Sequence, residues 1–244
     1  MKKKNKFGVY NNLSFDQYRQ LPGINQTRLK QFVENGYNKR KKYTNFQALE
    51  FGNAGHCMLL EPEKFSNLYI CAPKNLKQRK KNGKDRWKEF CNQHKDKIVL
   101  RYSDWSRLQN IKKSFQVHSK IKQFFSNGNS EVSLFWHDTE YGLNCKARLD
   151  WLDIDSKNIV DLKFTQNFSK LDKLKFFENN IAIQAYWYTR GLYQLTNIVS
   201  KFSYIFIEKF APHFIQIVQI SENDIKITKN RVDEIINNFN LLLN

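Results

Sequence analysis

Arg148-Leu-Asp150-Trp-Leu-Asp-Ile-Asp-Ser-Lys-Asn-Ile-Val-Asp161-Leu-Lys163-Phe164 reads as two strands joined by a tight polar turn. Side chains alternate across a strand, so Asp161 and Lys163 point the same way. With the turn centred between Ser156 and Lys157, Asp161 falls opposite Leu152, and Asp150 is its diagonal neighbour on the same face. Carboxylates this close repel unless something positive lies between them. A divalent cation meets that need, and Lys163 adds a second positive charge. Such a set suits metal-dependent phosphodiester cleavage.

Asp-x-Lys by itself means little, and it occurs three times: Asp155–Lys157, Asp161–Lys163 and Asp224–Lys226. The first copy falls in the expected turn, and the third begins the last helical segment without an acidic hairpin partner. Only the middle copy lies inside an apolar strand, Ile159-Val-Asp-Leu-Lys-Phe164, where a buried charge needs a reason. A structural ion pair of Asp161 with Lys163 or Arg148 is the competing explanation.

The surrounding chain has 244 residues, 41 Lys+Arg against 23 Asp+Glu, and a net charge of +18. That excess suits a polyanionic partner, nucleic acid before a membrane surface. A lysine- and asparagine-rich proteome would also raise the charge. Hydrophobic residues at 41 % supply ample core for a single domain spanning 1–244, with a basic N-terminal extension at 1–20 and a basic loop at 77–86. No apolar run approaches the roughly 20 residues of a membrane span. No apolar stretch follows Met1-Lys-Lys-Lys-Asn-Lys6 as a signal peptide requires, so a cytoplasmic location is expected. Cys57, Cys71, Cys91 and Cys145 are scattered without a CxxC pair, which argues against a zinc knuckle or a disulfide framework.

Periodicity predicts helices over Asn25–Asn35, Phe46–Leu60, Asp104–Phe125, Ser169–Phe177, Ala182–Leu195 and Glu222–Leu243. Strands are expected at Glu131–His137, Leu143–Ile154, Asn158–Phe164, Phe202–Glu208 and His213–Gln219. The runs Asn38-Lys-Arg-Lys-Lys42 and Lys77-Gln-Arg-Lys-Lys-Asn-Gly-Lys84 are dense in charge and read as connectors, the second either solvated or laid against phosphates. The architecture is a central mixed sheet flanked by helices, in the α/β or α+β range.

Further blocks repeat this order: Pro22-Gly-Ile-Asn25, Ala48-Leu-Glu-Phe-Gly-Asn-Ala-Gly-His-Cys-Met-Leu-Leu-Glu-Pro62, Tyr141-Gly-Leu-Asn-Cys-Lys-Ala-Arg-Leu-Asp150, Ile159-Val-Asp-Leu-Lys-Phe-Thr165, Gln184-Ala-Tyr-Trp-Tyr188 and Glu208-Lys-Phe-Ala-Pro212. Together they resemble the PD-(D/E)xK nuclease superfamily, and within it the RecE-type phage exonucleases (exodeoxyribonuclease VIII), relatives of lambda exonuclease. The Pro that names the superfamily motif is replaced here by Leu149. The resemblance implies His56, Asp150, Asp161 and the Leu162 carbonyl as metal ligands, and Lys163 as the group that orients or activates water. It implies that Gln184 positions that water or the lysine, and that Tyr188 supports the site or touches DNA. The expected ion is Mg²⁺, with Mn²⁺ able to substitute, given oxygen ligands and one imidazole. Calcium is expected to bind without turnover.

The implied activity is 5′-to-3′ exonuclease action on ends of double-stranded DNA, leaving 3′ single strands for recombination. The implied partners are a second copy of the chain in a homo-oligomeric ring and a phage single-strand annealing protein, in the cytoplasm of a bacterial host. Thr27, Arg28 and Lys30 are candidate contacts to a 5′-phosphate. The alternatives are an endonuclease of the same superfamily, restriction-type or junction-resolving, and a non-catalytic DNA-binding or annealing protein. The relatives with iron–sulfur clusters are disfavoured because all four cysteines precede Asp161.

Overall fold

The computed structural model describes residues 7–35, 46–76, 81–168 and 181–241. The basic run 38–42, the helix expected at Ser169–Phe177 and residues 77–80 lie outside them. The elements run β1 (Gly8–Tyr10), α1 (Phe15–Gln20), α2 (Gln26–Asn35), α3 (Phe46–Leu60), α4 (Pro62–Leu68), β2 (Tyr69–Cys71), α5 (Lys81–Gln93) and β3 (Ile98–Leu100). They continue α6 (Tyr102–Val117), α7 (Ser119–Phe124), β4 (Asn129–Asp138), β5 (Leu143–Asp153), β6 (Asn158–Thr165), α8 (Ile181–Thr196), β7 (Lys201–Glu208), β8 (Ile215–Ile220) and α9 (Glu222–Leu241).

The main sheet has the order β1-β4-β5-β6-β7-β8, and a parallel β2-β3 pair stands apart. Only β6 and β7 run parallel within the main sheet, because the segment joining them contains the crossover helix α8. The other neighbours are antiparallel, so the central mixed sheet flanked by helices is as expected. One core lies between the sheet and α8 and α9, with Trp136, Trp187, Phe202 and Tyr204 at its centre. A second packs the opposite face against α3, α6 and α7, through Ala54, Met58, Leu108, Ile111, Leu162 and Ile205.

The extension assigned to 1–20 is built into the fold from residue 8: β1 pairs with β4, and α1 is closed by a capping box from Ser14 and Gln17. Two basic residues of β5 hold this segment down. Lys146 is buried and donates to the carbonyls of Tyr18 (3.0 Å) and Leu21 (2.6 Å) at the end of α1. Arg148 donates to the Leu13 carbonyl at 2.8 Å. Part of the net charge is therefore turned inward. The basic loop at 77–86 is helical from Lys81, since Asp85, Arg86 and Trp87 continue into the turns of α5. The helix expected over Asp104–Phe125 breaks at His118 into α6 and α7, leaving Val117, next to the break, 78 % exposed.

On α3 the buried face is Phe51, Ala54, Gly55 and Met58, spaced three and four apart. Leu49, Gly52 and His56 form the adjoining face, with Leu49 exposed. The two glycines of α3 consequently differ. A Cβ on Gly55 would lie 2.3 Å from the Phe164 ring, whereas one on Gly52 would meet nothing within 4 Å. Gly55→Ala is expected to cost about 1–3 kcal/mol by overpacking. Gly52→Ala should be neutral or gain up to about 1 kcal/mol from helix propensity. Thermal melts of the two variants check this, and equal melting temperatures would contradict the packing.

Candidate active site

The β5–β6 hairpin turns through Ile154–Lys157, with Lys157 at φ +55° and the Ser156 N–H held by Asp153 Oδ1 at 3.0 Å. The paired residues are Trp151–Val160, Leu152–Ile159 and Asp153–Asn158. Continuing that register sets Asp161 opposite Asp150, not opposite Leu152 as a turn centred between Ser156 and Lys157 would. The turn holds four residues and is centred one position earlier, which slides the pairing by two and preserves its parity.

Past Trp151 and Val160 the strands separate, and the Asp150 carboxylate enters the seam, accepting the Leu162 N–H at 2.8 Å. His56 comes from α3, on the second-core side, and places Nδ1 3.3 Å from Asp150 Oδ2. Asp161 and Lys163 form an ion pair whose carboxylate also accepts from Gln184 of α8. The site is therefore reached from both faces of the sheet rather than gathered on one. The Lys163 ammonium also lies 5.6 Å from the Tyr204 ring centroid.

Glu131 completes the row, and the sequence reading did not single it out as a ligand. The pairs Ser130–Trp151 and Val132–Leu149 leave Glu131 facing Asp150 across β4 and β5. Its φ of +56° re-aims the side chain, and one donor atom each from His56, Glu131 and Asp150 lies within 4.8 Å of the others. The Asp138–Leu143 pair at the β4–β5 turn sets this register, and nothing local in the sequence distinguishes it from one shifted by a single residue. Arg148 pairs with Glu131 at 2.6 Å, and not with Asp161.

Burial and the positive charge of Lys163 lower the His56 pKa to about 4, so the imidazole is neutral at neutral pH and its lone pair is available to a metal. The 3.3 Å contact with Asp150 is thus a neutral-ring contact rather than an ion pair. Burial, then the charge of Asp161, push the Asp150 carboxyl well above the usual carboxylate range. Burial likewise raises Glu131, against the lowering effect of Arg148. Carboxylates raised by burial, and at Asp150 also by the charges of Asp161 and Glu131, fit a hard divalent cation beside the neutral imidazole, which would offset that repulsion.

Gln184 and Tyr188 are both buried on α8, one turn apart. Tyr188 hydrogen-bonds with Gln184, and burial raises its phenol well above the ordinary value. It stands behind the carboxylates, and its burial does not suit the contact with DNA considered for it. Thr27 and Arg28 are exposed on α2, while Lys30 is half-buried. Their helix packs on α8 and α9.

A splayed mixed sheet with a helix-borne imidazole, a row of carboxylates and a lysine one strand position beyond them defines a PD-(D/E)xK-type core. The chain belongs to the family described as PDDEXK-like domain of unknown function (DUF3799), whose profile matches residues 14–244. Among solved structures it is similar to one from Eubacterium rectale described as "Putative exonuclease", with 15 % identity and a TM-score of 0.51. That alignment covers 90 % of this chain and 76 % of the other. A further structure, SSO0001, aligns at 13 % identity and a TM-score of 0.32, over 78 % of this chain and 86 % of that one. No curated protein matches the chain in sequence. Among the described residues, no helix is long and apolar enough to cross a membrane.

Proposed function

We propose that the protein is a divalent-metal-dependent exodeoxyribonuclease that degrades double-stranded DNA from its ends, of the RecE type. The observation that carries this reading is the meeting of His56, Glu131 and Asp150 with the Lys163–Asp161–Gln184 chain at one seam of the sheet. His56 and Asp150 would hold the ion, with Asp161, the Leu162 carbonyl and Glu131 as further ligands; Mg²⁺ is the expected occupant and Mn²⁺ a substitute. When bound, the ion supplies Lewis-acid activation of the phosphodiester. Lys163 would offset charge at the phosphate and orient the attacking water. Asp161 fixes the lysine's position, and Gln184 fixes Asp161. Tyr188 would buttress Gln184 from behind.

On this reading residues 1–244 act as one nuclease domain in the cytoplasm of a bacterial host, as a homo-oligomeric ring around DNA. The 3′ strand it leaves would pass to a phage single-strand annealing protein. The 5′-to-3′ polarity and these partners rest on the sequence resemblance. Thr27, Arg28 and Lys30 remain candidates for the 5′-phosphate contact.

The test is a time course with Mg²⁺ on linear duplex labelled at either the 5′ or the 3′ end, beside a covalently closed circle. Early release of the 5′ label with the circle intact is expected. Cleavage of the circle would favour an endonuclease, and DNA binding without cleavage of either substrate would favour the non-catalytic reading.

A further inference from the structure

The turn between β7 and β8, Lys209-Phe-Ala-Pro-His-Phe214, has no role in the chemistry assigned to the carboxylates. It is pinned to the end of the strand that carries them. The Lys209 N–H donates to the Thr165 carbonyl at 2.8 Å, two residues beyond Lys163, and Glu208 accepts from the Phe168 N–H at 2.7 Å. This anchoring presents Phe210 to solvent at 48 % exposure. The Arg107 guanidinium of α6 lies 4.7 Å from the Phe210 ring centroid and 5.9 Å from that of Phe51. The Lys209 ammonium lies 5.4 Å from the Phe51 ring. Phe51 meets Phe164 edge-on at 5.8 Å, and Phe164 is 5.7 Å from the His56 imidazole. The rings His56–Phe164–Phe51 thus run from the candidate metal ligand to two cations, Lys209 over Phe51 and Arg107 between Phe51 and the exposed Phe210.

The cations are unevenly matched. Arg107 has Asp104 at 3.2 Å, whereas Lys209 feels that same carboxylate only at longer range. Burial, and then the neighbouring Arg107 charge, lower the Lys209 pKa. A phosphate between the two would relieve that repulsion, and a base on the ring would use its open face.

We propose that this corner is a nucleic-acid subsite, in which Phe210 stacks an unpaired base and Arg107 and Lys209 hold the adjoining phosphate. The inference rests on the nuclease reading and adds a contact for a single-stranded segment beside the scissile bond. A surface-exposed phenylalanine with no ligand is the competing account.

The experiment measures binding by fluorescence anisotropy, with the full chain, in EDTA, on a labelled duplex bearing a single-stranded tail. Phe210→Ala should weaken binding roughly 5- to 150-fold, the range for losing one base–aromatic stack. Phe210→Trp should retain affinity. Phe210→Leu, which keeps apolar packing without a π face, should lose it. Lys209→Gln should lower the slope of log affinity against log salt by about one. If wild type binds and cleaves DNA while Phe210→Ala and Phe210→Leu bind as it does, the subsite is wrong and the nuclease reading stands. If wild type neither binds nor cleaves DNA, both fall together.

Discussion

Asp161→Ala is expected to lower the rate of duplex degradation by about a thousandfold or more, the upper scale of loss for removing one preorganised group that manages transition-state charge. Asp161 holds two neighbours at once: its carboxylate takes the Lys163 ammonium and the Gln184 amide. Without it the lysine loses its anchor and the proposed ion loses a ligand. The Gln184 amide is also left as a buried donor without its partner, at about 1–3 kcal/mol. Binding should follow the opposite trend. Removing a negative charge beside Asp150 lowers repulsion toward phosphate, so affinity measured in EDTA should hold or rise. Purified wild type, Asp161→Ala and Lys163→Ala compared on end-labelled duplex provide the measurement. Cleavage by Asp161→Ala at the wild-type rate would remove the carboxylates from the mechanism.

The largest expected effect on stability lies away from the site. Arg190→Ala should destabilise the fold by about 3–5 kcal/mol, because it strands a fully buried carboxylate. Asp138 is 0 % exposed and receives Arg190 Nε at 2.6 Å and Nη2 at 2.7 Å in a bidentate pair. The Trp136 indole (3.3 Å) and the Tyr141 N–H (3.2 Å) would be left as its only other hydrogen-bond donors among the described residues. Burial alone would raise Asp138, yet the hydrogen bonds and charge of Arg190 bring it below the usual carboxylate value.

The sign with pH follows from that depression. In wild type the pair's contribution is complete above the unfolded carboxylate pKa and is lost only as pH falls through the lower folded value. In Arg190→Ala burial dominates, the folded pKa rises, and protonating Asp138 relieves the penalty. Urea unfolding should therefore show the largest difference between variant and wild type at pH 7, shrinking as pH falls toward 4. Adding Asp138→Asn to Arg190→Ala should recover part of the loss. A difference that stays constant over this pH range would mean the buried charge is not the cause.

Lys146 and Arg148 show how far residue type alone can be read. In a chain of net charge +18 they look like phosphate contacts, yet they hold carbonyls of the N-terminal segment. The tether spans 128 sequence positions between Tyr18 and Lys146, and no local pattern encodes it. Glu131 is the reverse case. It reaches Asp150 through the β4–β5 register and a left-handed backbone angle, neither of which periodicity reports.

By itself the sequence determined the order of α2, α3, α8, α9 and the strands β4 to β8, the acidic hairpin, and His56 on an early helix. These follow from turn chemistry, periodicity and motif spacing, all properties of neighbouring residues. The tertiary structure decided the rest: the two-residue slide that sets Asp161 opposite Asp150, the opening of the strands that admits the Asp150 carboxylate, and the joining of Arg107, Lys209 and Phe210 into one corner. Those outcomes depend on the packing of the sheet between α3 and α8, which brings together residues far apart in the chain.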